Sequence, residues 1–162
     1  MQRGQSGMNT RAELIATYAS APERLRAAVL GLSEEQLATP RAEGKWNTHQ
    51  IAVHLADSEL HYVLRVRRII AEPGTELERF DQDAWVDALA PSTSIVSAVD
   101  AFGLLRRMTT ETLLAVTPVQ WGHICTHPER GPMGLDQMLE MLAWHGDHHI
   151  NQILELRAQR EW

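Results

Sequence analysis

Trp144-His145-Gly146-Asp147-His148-His149-Ile150-Asn151-Gln152 sets two histidines four residues apart in the middle of an apolar stripe near the end of the chain. At about 100° per residue, Met138, Met141, Leu142, His149, Gln152, Ile153 and Leu156 all fall within about 80° of His145. Both imidazoles therefore lie inside the face that a helix here has to bury. A core-facing imidazole is costly unless both ring nitrogens are satisfied. An i, i+4 pair stacks two side chains on one face, close enough to grip a single ion.

Outward from this stretch, helical signals dominate and alternating strands are scarce. The last helix is expected from Asp136 to about Arg160. A first spans about Thr10 to Leu30, with Leu14, Ile15, Tyr18, Leu25, Ala28 and Val29 at helical spacing; Pro22 should kink it or start a second helix, and Gly31 ends it. Ser33 with Gln36 reads as a capping box for a short turn that stops before Pro40. Asn47, with Gln50 three residues on, caps a second long helix reaching about Glu72, stopped by Pro73-Gly74. Residues 73–91 read as a connection containing a short turn, Phe80-Asp81-Gln82-Asp83-Ala84-Trp85, packed by its aromatics. Ser92 opens a third long helix to about Val116, which Pro118 closes, and Trp121 to Gly134 is expected to be a loop. Four long amphipathic helices with long connections predict an all-α four-helix bundle. Residues 1–8 are expected to be a disordered or appended end, and residues 9–162 a single domain.

Composition narrows the function. Hydrophobic residues make up 44% and charged residues 22%, an ordinary globular balance that argues against disorder. A formal charge of −6 argues against nucleic acid as a partner, and a helix would splay the densest basic group, Arg65, Arg67 and Arg68, around its axis. The single Cys125 excludes an intramolecular disulfide and any CxxC metal ribbon. With no secretory leader and no run long enough to span a bilayer, a cytoplasmic protein without membrane contact is expected.

The second long helix carries a polar stripe. Ser58, His61, Arg65 and Arg68 lie within about 40° of His54, and Asp57 about 60° away. This is either the solvated face or a polar pocket inside the bundle, since no other direction of the helix is clearly wet. In the second case His54, His145 and His149 would supply three neutral imidazoles to a divalent ion, with a coordination position left open; the bland alternative is that hydrogen bonds alone hold them. His148 falls at the edge of the stripe as a flanking residue. For His61, a surface or hydrogen-bonded role outweighs ligation. His123-Ile124-Cys125-Thr126-His127 reads as structural, with Cys125 a small buried hydrophobe, and Trp46, Trp85, Trp121 and Trp144 as core and rim packing.

Gly44-Lys45-Trp46-Asn47 leading into His54-Leu55-Ala56-Asp57-Ser58-Glu59, with Trp144 to Gln152 near the end, resembles the DinB/YfiT-like superfamily over nearly the whole chain. The resemblance implies a four-helix bundle with a divalent metal on His54, His145 and His149; three imidazole donors suit zinc, or nickel or another divalent ion. It also implies a homodimer acting on a small-molecule substrate. Characterised members of the superfamily are transferases and isomerases that use a low-molecular-weight thiol: bacillithiol, mycothiol or glutathione. The leading expectation is thus a metal-dependent thiol transferase or isomerase, in which Arg65 or Arg68, neither assigned by the resemblance, could hold a carboxylate of the thiol cofactor or stabilise developing negative charge. A metal-dependent hydrolase is the first alternative, and a bundle without catalysis the second.

Overall fold

Four long helices, α1 (Arg11–Val29), α3 (Thr48–Ala71), α5 (Ile95–Leu114) and α7 (Leu135–Arg160), form the body of a computed structural model that describes residues 10–162. The expectation for residues 1–8 lies outside the described residues. Short elements fill the connections: α2 (Glu34–Ala38), α4 (Gln82–Leu89) with a 3₁₀ turn at Ala90–Ser92, α6 (Pro118–Trp121), and a hairpin of β1 (Ile124–His127) and β2 (Gly131–Gly134). The all-α bundle expected from periodicity is present.

Local chemistry sets most boundaries. Thr10, Ser33, Asn47 and Thr117 each cap a helix, and Glu13, Gln36, Gln50 and Gln120 complete capping boxes. Three expectations are corrected. The segment at Phe80–Trp85 is the entry to a true helix, α4, because the Asp81 carboxylate accepts from the Ala84 N–H. The third long helix starts at Ser94 rather than Ser92, since Ser94 caps the Ser97 N–H while Pro91 holds a 3₁₀ turn just before it. The loop expected over 121–134 is a short helix and an antiparallel hairpin in which Cys125 pairs with Met133. Residues 74–77 add to this hairpin: Gly74 N–H donates to Ile124 O (2.8 Å), Thr126 N–H to Thr75 O (3.0 Å) and Leu77 N–H to Thr126 O (2.9 Å). The α3–α4 connection is thereby pinned against the bundle.

Each long helix packs chiefly on two others. α1 lies against α5 and α7, and α3 against α5 and α7, so α1 and α3 sit on the diagonal. Two apolar clusters occupy the two ends of the bundle. One contains Leu25, Ile51, Leu55, Phe102, Ile150 and Ile153, and the other Tyr62, Val66, Ile69, Leu135, Leu139 and Leu142.

Between them lies a buried polar network. Arg106 of α5 has no exposed surface; its Nε donates to Glu59 Oε2 of α3 (2.9 Å), its Nη1 to Tyr18 O of α1 (3.0 Å) and its Nη2 to Leu142 O of α7 (3.1 Å). One side chain thus ties all four long helices. The Tyr18 hydroxyl, whose pKa burial raises, donates to Glu59 Oε1. Pro22 explains the free carbonyl: it lies inside α1, which runs unbroken rather than restarting there, and its missing N–H leaves Tyr18 O without its helical partner. Gly146 explains the approach to α7, where a Cβ would stand 2.8 Å from both Arg106 Nη1 and Nη2.

Candidate metal centre

His54 on α3 and His145 and His149 on α7 converge beside this network, one candidate ligand atom from each lying within 4.8 Å of the other two. Their ring centroids are 4.6 to 5.1 Å apart, and His54 Nε2 faces His145 Nε2 at 3.0 Å. The residues are 1, 8 and 9% exposed. The polar stripe of α3 is therefore an interior face: His54 and Ser58 are 1% exposed, whereas Leu60 and Leu64 are 50% and 42% exposed. The solvated-face reading of that stripe is overturned, because α3 turns its hydrogen-bonding residues toward α7 and leaves two leucines outside.

Burial keeps the three imidazoles neutral. Desolvation, then the charge of His149, pushes His54 down to about 3. Desolvation brings His149 down to about 4, against a hydrogen bond donated to Gln152 that favours the charged form. His145 is held well below the ordinary range by burial first, then by His149, His54 and Arg106. Neutral imidazoles keep a lone pair for an ion, which protonated ones cannot offer. Gln152 Oε1 lies 3.1 Å from His149 Nδ1, so an Nδ1–H donated to that amide oxygen leaves Nε2 free as a ligand atom. The Gln152 amide nitrogen reaches His148 Nε2 at 2.8 Å, which places His148 at the flank. Ser58 Oγ lies 3.3 Å from His54 Nδ1.

Aromatic side chains close the surroundings. The Trp46 ring lies 4.6 Å from His54 and 6.2 Å from His149, Phe80 stacks over His54 at 6.4 Å, and the edge of Tyr62 meets His145 at 5.3 Å. His61 packs between Phe80 (4.2 Å) and Trp85 (4.8 Å) instead of joining the three histidines. Trp144 departs from the packing expected of it: it is 60% exposed and stacked on His148 at 4.7 Å. His123 Nδ1 meets Ile70 O at 3.0 Å and so caps the end of α3, and Cys125 is a buried part of the second apolar cluster.

Arg65 and Arg68 lie 11 and 14 residues beyond His54, about 16 and 21 Å along the helix axis. The structure does not place Arg68 among the histidines: it pairs with Glu78 (2.6 Å) and donates to Glu76 O (3.2 Å), holding the α3–α4 connection. Arg65 is buried and donates to Glu78 O (2.5 Å). Sequence reasoning overlooked Arg106, Glu59 and Tyr62. The signal for Arg106 was available, since the buried stripe of α5 runs Val99, Phe102, Arg106, Thr109, Leu113 and passes through the arginine.

The buried neutral histidines make a testable contribution to stability. Their folded pKa values lie below the ordinary 6.5, so between those values and 6.5 the unfolded chain binds more protons. The contribution is complete above pH 6.5 and is lost as pH falls toward about 4 and then about 3. Metal-free protein should lose on the order of 2 kcal/mol per histidine between pH 7.5 and 5 in urea titrations. A flat profile over that range would show that the imidazoles are not buried in solution.

The DinB superfamily model matches residues 17–153. A Geobacillus kaustophilus protein named "Putative metal-dependent hydrolase GK0616" is 34% identical over 161 residues, covering 93% of this chain and 85% of its own. A Geobacillus thermodenitrificans protein also named a metal-dependent hydrolase, with the same qualifier, is 32% identical over 152 residues at the same coverage. The solved structure of Bacillus subtilis YfiT, described as "a probable metal-dependent hydrolase with an unusual four-helix bundle topology", matches with a TM-score of 0.89 at 24% identity, covering 99% of this chain and 94% of that one. With the family model spanning most of its length and the fold shared from end to end, this chain belongs to the DinB superfamily.

Proposed function

We propose that this protein is a metal-dependent enzyme that activates a nucleophile for attack on a small electrophilic substrate, with His54, His145 and His149 holding the ion. The convergence of three buried, neutral imidazoles carries this reading. The donor set suits zinc or nickel, and three protein ligands leave a position for a reactant. An ion held there supplies Lewis acidity, lowering the pKa of a thiol or a water bound to it. The residues of the chain do the rest. Gln152 fixes the His149 ring, Ser58 meets His54, and Trp46 and Phe80 shield the site from bulk water.

A low-molecular-weight thiol is our first reading of the nucleophile and water the second, the latter favoured by the names of the Geobacillus relatives. The proposal includes a homodimer, which light scattering checks. Elemental analysis of untagged protein should find close to one divalent ion per chain. Cobalt-substituted protein should then gain a sulfur charge-transfer band with bacillithiol, mycothiol or glutathione. If all three leave the spectrum unchanged while an ester or amide panel is turned over, water is the nucleophile and the thiol reading is wrong.

A further inference from the structure

Arg65 is a buried cation with most of its donors unspent. It is 6% exposed, its Nη2 donates to Glu78 O, and its Nε is buried without a hydrogen-bond partner among the described residues. Glu78 and Glu129 are the acids whose charge it feels, but the Glu78 carboxylate is taken by Arg68 at 2.6 Å, and neither acid forms an ion pair with Arg65 among the described residues. A guanidinium offers five N–H donors in a planar fork, and burying it without an anion is costly.

The surroundings run from this cation to the histidines. His149, His145, Tyr62, Arg65 and His127 keep 9, 8, 8, 6 and 6% of their surface, whereas Leu55, Leu139, Leu142 and Arg106 keep none. The first four follow one another in space. His149 and His145 are 4.7 Å apart, His145 and Tyr62 are 5.3 Å apart, and Arg65 Cζ lies 6.0 Å from the Tyr62 ring. Laid end to end, these separations put the Arg65 guanidinium no more than about 11 Å from the His145 ring. His149, His145, Tyr62 and Arg65 thus form one row of side chains, each of which keeps some surface.

The geometry points to a substrate that is itself an anion: a small molecule whose reacting end lies at the three histidines and whose carboxylate is gripped by Arg65 at the other end of this row of side chains. This rests on the metal-centre reading for the position of the reacting end. The fork of a guanidinium matches a carboxylate in two parallel hydrogen bonds, and Arg65 has the free donors to make them. Of the two arginines that the sequence offers for this task, only Arg65 is left available by the structure.

Unbranched dicarboxylates from malonate to suberate, with monocarboxylates of equal length as controls, test the assignment. Cobalt-loaded wild-type protein should bind the dicarboxylate of matching length at least about tenfold more tightly than its monocarboxylate counterpart, read from the d–d bands. Arg65→Gln should reduce that preference to within about twofold, and Arg65→Lys should retain part of it. Arg26→Gln, which removes an exposed guanidinium paired with Asp100 between α1 and α5, should keep it. In metal-free protein the same dicarboxylates should raise the melting temperature of wild type more than that of Arg65→Gln. An unchanged preference in Arg65→Gln, or a cobalt spectrum that responds equally to both acid classes at every length, overturns the Arg65 subsite and leaves the metal reading intact. Failure to bind cobalt, with the Arg65-dependent shift still present in metal-free protein, removes the metal reading and keeps the subsite. Should Arg65→Gln fail to fold, Arg65→Lys and the length dependence in wild type decide the matter.

Discussion

Arg106→Met should destabilise the protein by about 3–5 kcal/mol, the cost of removing one partner from a buried ion pair. Three groups lose their donor at once. The Glu59 carboxylate would keep only the Tyr18 hydroxyl, Leu142 O would lose its second hydrogen bond, and Tyr18 O, already freed by Pro22, would have no partner within α1. Urea denaturation followed by circular dichroism measures the loss. Replacing Glu59 together with Arg106 by apolar residues of similar volume should recover much of it, because the remaining penalty is chiefly an uncompensated buried charge. A cost below about 1 kcal/mol for Arg106→Met alone would show that the network is hydrated and not a structural tie.

The bundle was legible because its signals are local. Capping boxes at Ser33 and Asn47 and the stop at Pro73-Gly74 mark helix ends within one residue of the observed ones. The α7 histidines were legible for a different reason: two imidazoles inside an apolar stripe contradict binary patterning, and such contradictions gather at functional sites. His54 was harder, because its stripe on α3 reads equally well as a wet face. The choice depends on the outward turn of Leu60 and Leu64, which no periodicity reveals.

The hairpin and the network around Arg106 were hidden for physical reasons as well. The strands at Ile124–His127 and Gly131–Gly134 are four residues each, stabilised partly by backbone bonds from residues 74–77 that are distant in sequence. Arg106 answers to three positions far apart in the chain: a proline that frees a carbonyl, a glycine that opens space, and a glutamate that supplies charge. Each has an ordinary explanation alone. Only the diagonal placement of α1 and α3 brings them to one point.

His149→Ala should lower the affinity for the metal ion by more than about 100-fold while leaving the bundle folded. The two apolar clusters supply most of the burial, and neither includes His149. A graded series separates ligation from support. Gln152→Ala, which removes the partner of His149 Nδ1, should cost about 10- to 100-fold in affinity, the range typical of residues that orient a metal-bound histidine. His148→Ala should cost little, because His148 lies at the flank, 5.0 Å from the His149 ring and bonded to the far end of Gln152, and offers the ion no ligand atom. Elemental analysis after equilibrium dialysis gives the affinities, and far-ultraviolet circular dichroism reports the fold. Full occupancy in His149→Ala would show that this imidazole is a hydrogen-bonded core residue and not a ligand. Global unfolding of the same variant would show instead that the ion holds α3 to α7, in which case the pH-dependent loss of stability in the metal-free protein should be small beside the loss caused by a chelator.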